Sequence, residues 1–119
     1  GTVLPLKIEY KSDPRVWHMF GFQFGWGQLD FSASVRAAKV ADAAVVCAGY
    51  EYMTEGEGFD RTFALPYSQR ELIEAVSAAN PRTVVVLTGG GSAESASWIQ
   101  KVPAFIHAWY LGQNGAQAV

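Results

Sequence analysis

Four of the 11 acidic residues fall within ten consecutive positions, Glu51, Glu55, Glu57 and Asp60. The segment reads Gly49-Tyr50-Glu51-Tyr52-Met53-Thr54-Glu55-Gly56-Glu57-Gly58-Phe59-Asp60-Arg61, with one arginine directly beside Asp60. Carboxyl groups crowded in this way raise one another's pKa, which suits a proton donor near neutral pH. Glycines on both sides of Glu57 free the backbone to aim that carboxyl group. Asp60 and Arg61 offer an ion pair that can hold the segment elsewhere in the fold. An acidic loop that only faces water would have the same composition.

Other residues offer weaker chemistry. Gly89-Gly90-Gly91-Ser92 has amides able to cradle a phosphate at a helix start. It lacks the Walker lysine and the spaced dinucleotide fingerprint, so a tight strand-to-helix turn is the favoured reading. Trp109-Tyr110 can stack on a ligand ring or close the core. His107 reads as a hydrogen-bonded core residue, and Trp17 and His18 fall outside the acidic segment. Cys47 is the single cysteine and lies in an apolar run, so a small buried core residue is expected. One cysteine and two histidines exclude an internal disulfide and zinc sites rich in cysteine or histidine.

The chain divides near Asp30. Before it, Leu4, Leu6, Ile8 and Tyr10 alternate with polar residues, and Phe20, Phe22, Phe24 and Trp26 share one parity. Both patterns have the period of two that strands require, and Lys11-Ser12-Asp13-Pro14 is turn chemistry between them. After Asp30, a helix is expected from Phe31-Ser32 to Ala41, capped by Ser32 or Asp30. Val45 to Cys47 is then a short buried strand. Ser68-Gln69-Arg70-Glu71 fits a capping box, and Leu72, Ile73, Val76 and Ala79 continue a helical stripe that Asn80-Pro81 stops. Thr83 to Leu87 is a second buried strand, followed by a short helix through Trp98 and Ile99. Ala104 to Trp109 is a third strand, and a fourth helix follows Gly112. Repeated β-α crossovers imply a parallel sheet with helices on both faces. The functional loops of such a sheet lie beyond the carboxyl ends of its strands, here Gly49 to Pro66, Thr88 to Ser92 and Tyr110 to Asn114. The first is long for so small a unit, as functional loops tend to be.

Half of the 119 residues are apolar, which excludes intrinsic disorder. The net charge of -2 provides no positive surface for nucleic acid or anionic membranes. No apolar run approaches the roughly 18 to 20 residues of a membrane span. Nothing in the chain indicates a compartment. The first residues already read as a strand and the last as a helix barely begun, which predicts a fragment of a longer chain.

Glu55-Gly56-Glu57-Gly58-Phe59-Asp60-Arg61, then Leu65-Pro66 and Gln69-x-Glu71-Leu72-Ile73, resembles the C-terminal α/β sandwich domain of glycoside hydrolase family 3. Ala79-Asn80-Pro81-Arg82-Thr83-Val84-Val85-Val86-Leu87, Val102-Pro103-Ala104 and Ala108-Trp109-Tyr110-x-Gly112-Gln113 extend the resemblance in the same order. It runs from about Phe31 to the end of the chain. Residues 1–29 resemble, more weakly, the last strands of the protective-antigen-like β-sandwich that some of these enzymes carry inserted in this domain. The resemblance therefore implies two parts. Residues 1–29 would be a hairpin closing the insert, and residues 30–119 part of a three-layer α/β/α sandwich with a mainly parallel sheet.

The same resemblance implies a retaining, exo-acting β-glycosidase, most simply a β-glucosidase acting on terminal non-reducing β-D-glucosyl residues. The family's nucleophile is an aspartate in a preceding barrel domain, and its motif is absent here, so the isolated chain is expected to be inactive. The family's acid/base glutamate comes from the loop matching Gly49 to Pro66. Glu57, in the Glu-Gly-aromatic-Asp-Arg core, is the first choice and Glu55 the second, with Asp60 and Arg61 binding substrate or anchoring the loop. Where the family often has Pro-Gly-Gln-Glu-Gly, this chain has Leu111-Gly112-Gln113-Asn114-Gly115, so position 114 carries no acid. No cofactor or metal is implied. The implied partners are a β-glucoside or related oligosaccharide and the enzyme's own barrel domain. Nucleic acid and membrane are not among them, and homo-oligomerisation stays open. The competing reading is a non-catalytic, flavodoxin-like module that binds sugar or phosphate.

Overall fold

The computed structural model describes residues 29–58 and 61–118. The hairpin expected over residues 1–29 therefore lies outside the described residues, apart from Leu29.

Strands β1 (Ala44–Gly49), β2 (Thr83–Thr88) and β3 (Ala104–His107) form a three-stranded sheet in the order β1-β2-β3. Both pairings are parallel, with Val46 opposite Val85 and Val85 opposite Phe105. The architecture is α/β, as the alternating pattern predicts. Helices α1 (Ser32–Val40) and α2 (Gln69–Ala79) pack on each other, and α2 packs on β1 and β2. Helix α3 is the short segment Gly115–Ala118.

The helical stripe and the strand parity meet in one core. Ile73 and Val76 from α2 pack with Val46, Ala48, Val85 and Leu87 from the sheet, with Ala38 from α1, and with Trp98. Ile73, Val85 and Trp98 are fully buried. Removing each such apolar side chain from water contributes roughly 1.5–3 kcal/mol. Trp98 meets Phe105 edge to face at 5.4 Å and donates its indole N–H to the Glu94 carbonyl.

Several local expectations are corrected. Cys47 is exposed. Its position in β1 puts it on the face it shares with Val45, opposite the one α2 covers, and a continuous apolar run does not say which face is covered. The capping box at Ser68 does not form. Tyr67 and Ser68 both have left-handed backbones (φ 55° and 58°), whereas a capping serine needs an extended one. Glu71 pairs with Arg70 instead. At α1 the N-cap position falls on Phe31 and not on Ser32 or Asp30, although the Asp30 carboxylate accepts the Ser32 amide at 2.8 Å from the position before it. The third strand ends at His107, since Trp109 turns to φ 58°. Around Trp98 only a single 3-10 turn, Ile99–Lys101, is formed.

Asn80 does more than end α2. Its side-chain amide donates to the carbonyls of Ala38 and Ala41 at 2.9 Å each, which closes the C-terminus of α1. Its side-chain Oδ1 accepts the Arg82 amide, which starts the turn into β2. Asn80 is 5% exposed, and of its partners Ala38 is buried as well. Asn80→Ala is expected to lower stability by about 2 kcal/mol, since three hydrogen bonds are lost but only the Ala38 partner is left buried. Denaturant unfolding of the protein carrying this chain measures it.

Candidate active site

The long loop leaves the carboxyl end of β1 and is pinned at both ends. Gln69, the first residue of α2, accepts the Gly49 amide and donates to the Gly49 carbonyl. Tyr50 is buried, and its hydroxyl donates to the Phe63 carbonyl at 3.0 Å. The Glu94 amide donates to Phe63 in turn, joining this loop to the segment after β2.

Three carboxylates of the loop lie among the described residues, and each has a different environment. Glu51 closes a local turn. Its carbonyl accepts the amides of Thr54 and Glu55, and its carboxylate accepts the Met53 amide and the Tyr67 hydroxyl. Glu55 is held from three sides. One oxygen accepts the Arg61 Nε–H, and the other accepts the Gly90 amide at 2.8 Å and the Tyr110 hydroxyl. Among the described residues, no donor binds the Glu57 carboxylate. Glu57 is exposed and lines a hollow of about 400 Å³ with Tyr52, Glu55, Gly56, Gly90 and Tyr110. Gly58 follows in the left-handed region at φ 83°, where a side chain would be strained. Asp60 lies outside the described residues.

Arg61 organises the floor of the site. Besides Glu55, it donates to the carbonyls of Thr62 and Ser92, and its guanidinium sits 4.0 Å from the Tyr50 ring centre. The Arg61 and Glu55 side chains are only 15% and 16% exposed. Partial burial alone would raise the Glu55 pKa. The hydrogen bonds from Gly90, Tyr110 and Arg61, with the arginine charge, outweigh that and hold it below the usual carboxylate range. The expected rise from crowded acids is therefore corrected at Glu55, because its nearest neighbours are donors and a cation. Burial pushes the Tyr50 phenol up, with Arg61 opposing.

The glycine run after β2 has a use that its sequence did not disclose. A Cβ at Gly90 would stand 3.1 Å from Tyr110 Cε2 and 3.5 Å from Glu55 Oε2. The backbone must come this close for its amide to reach the carboxylate. The anion at this loop is thus the chain's own Glu55, which leaves the Gly90 amide unavailable to a phosphate. Tyr110 is half exposed and forms one wall of the hollow, while Trp109 stacks on His107 at 4.2 Å. The buried His107 Nε2 has no hydrogen-bond partner among the described residues, contrary to the expectation of a bonded core histidine. No three His, Cys, Asp or Glu side chains come together as a metal requires, among the described residues.

Sequence order brought Glu55, Glu57 and Arg61 together because they share one loop. Gly90 and Tyr110 were not joined to it, since only the parallel register places the ends of β2 and β3 beside the end of β1.

Residues 5–119 match the model of the glycosyl hydrolase family 3 C-terminal domain. The chain belongs to this family. It is 39% identical over 89 residues to an exo-alpha-(1->6)-L-arabinopyranosidase of Bifidobacterium longum, covering 74% of this chain and 12% of that protein. It is 38% identical over 101 residues to a beta-glucosidase of Rhizobium radiobacter, covering 84% of this chain and 12% of that one. Among solved structures, the family 3 beta-glucosidase of Bifidobacterium adolescentis superposes with a TM-score of 0.68 at 39% identity, over 73% of this chain and 13% of that one. The chain thus spans about an eighth of the length of the relatives it matches. In this family 3 domain, the hollow lies where the open-sheet rule puts function, beyond the carboxyl ends of parallel strands.

Proposed function

We propose that this family 3 segment is part of a retaining, exo-acting β-glycosidase, a β-glucosidase, and that it supplies the general acid/base, Glu57. One observation carries the assignment. Of the three described loop carboxylates, Glu51 and Glu55 are engaged by donors, while Glu57 lines the hollow without one among the described residues. A general acid must be able to approach the leaving oxygen and exchange its proton with it.

In the first step, a carboxylate from the barrel domain attacks the anomeric carbon as the glycosidic C–O bond breaks. Glu57 gives its proton to the departing oxygen, which leaves as an alcohol. In the second step, the ionised Glu57 takes a proton from water as that water attacks the same carbon, releasing sugar and the nucleophile. The two carboxyls of such a pair stand about 5–5.5 Å apart. Tyr52 and Tyr110 line the hollow, and aromatic rings there suit the apolar face of a sugar or aglycone. Arg61, with Asp60 in the same motif, anchors the loop.

The full-length enzyme should release glucose first as the β anomer from an aryl β-D-glucoside, followed by proton NMR before mutarotation. First-formed α-glucose would overturn the retaining assignment. A parallel assay with aryl α-L-arabinopyranoside separates the two specificities that the relatives' names present. The 119-residue chain alone should hydrolyse none of these, because it lacks the nucleophile motif.

A further inference from the structure

We propose that Glu55 is a positioning residue whose carboxylate ties the loops after β1, β2 and β3 into one frame, and that it acts on the reaction only through Glu57. The inference rests on the reading of Glu57 as the acid/base.

Glu55 stands two residues from Glu57, so their Cα atoms are at most about 7 Å apart. Gly56 between them, and Gly58 beyond, would otherwise let Glu57 wander. Glu55 stops this by bonding to the Gly90 amide after β2 and the Tyr110 hydroxyl after β3. Arg61 extends the frame from the other carboxylate oxygen to the Ser92 carbonyl. Glu55 itself is poorly placed to give up a proton. Arg61 Nε–H and the Gly90 amide can only donate and they address different oxygens, so a proton on either oxygen would face a donor, which favours the ionised carboxylate. The depressed pKa agrees with that geometry. The close fit at Gly90 has the same explanation, since a Cβ there would press on the Tyr110 ring at 3.1 Å and stand in contact with Glu55.

The test uses the full-length enzyme and a dinitrophenyl glycoside, whose leaving group needs no acid, so that the Glu57→Gln enzyme still turns over. Glu55→Gln is expected to lower kcat about 10- to 100-fold, the scale of an ångström-level misplacement of a catalytic group, with KM falling in parallel because only the second step is slowed. Azide should not restore the rate, because Glu57 is still present. In a Glu57→Gln background, Glu55→Gln should cost nothing further, since the residue it positions is already gone. Tyr110→Phe removes only a half-exposed hydroxyl, so it keeps the test open if Glu55→Gln fails to fold. It should show a smaller loss, about tenfold, with the same dependence on Glu57. Equal losses in both backgrounds would mean a merely structural role and would overturn the inference. Azide rescue of Glu55→Gln would overturn it too, making Glu55 the proton donor. Failure of the underlying reading has its own signature, full activity in Glu57→Gln alone.

Discussion

Glu57→Gln in the full-length enzyme is expected to lose about 10³- to 10⁴-fold in kcat/KM on cellobiose, the upper range of a general acid's contribution. The loss should follow leaving-group chemistry. An alkoxide departs only with a proton, so cellobiose suffers most. A dinitrophenolate departs unaided, so its first step should be nearly unchanged. The second step then limits turnover, because no carboxylate remains to take the proton from water. Folding should be unaffected, since Glu57 is exposed and touches no donor among the described residues. Steady-state kinetics across a series of aryl glucosides measures the pattern. A uniform loss for every leaving group would contradict it.

Arg61→Met should have the next largest effect. The guanidinium serves Glu55, Thr62 and Ser92 together and lies over the Tyr50 ring. Its loss strands a largely buried carboxylate, which should cost about 2–3 kcal/mol, at or below the range for breaking a buried pair. With the frame loosened, kcat should fall about 100-fold. Arg61→Lys should recover little, since an ammonium cannot reproduce the fork. Acid should imitate the mutation. The folded-state pKa of Glu55 lies below its unfolded value, so its stabilisation is fully present at neutral pH. That stabilisation is lost as pH falls through the depressed folded-state value. In Arg61→Met the depression is smaller, so the loop should loosen at a higher pH than in the parent. Limited proteolysis of the loop against pH reads this directly, and identical profiles would contradict it.

Much of this arrangement was legible in the sequence where the signal was local. The β-branched run from Thr83 to Leu87 could hardly be other than a buried strand, and Asn80-Pro81 had to stop a helix. The loop with its acids and single arginine announced itself by composition. What stayed hidden depended on contacts across the chain. Cys47 looked buried because an apolar run carries no record of which sheet face a helix covers. Ser68 looked like a cap because the left-handed backbone at Tyr67 and Ser68 has no residue-type signature. Glu55 looked like a proton donor because its acidic neighbours are adjacent in sequence. Its partners Gly90 and Tyr110 lie 35 and 55 residues away. The glycine run read as a tight turn, and its hold on Glu55 stayed hidden for the same reason, since that anion comes from another strand's end.

The central claim is that Glu57 passes protons while Glu55 holds it in place. Trapping with azide tests it most directly. Full-length Glu57→Gln, given dinitrophenyl β-glucoside and azide, should turn over faster than without azide and accumulate β-glucosyl azide. The small anion then attacks the glycosyl-enzyme without needing a base. Full-length Glu55→Gln under the same conditions should give glucose and no azide product. Glucosyl azide from Glu55→Gln, with unaltered hydrolysis by Glu57→Gln, would contradict the account.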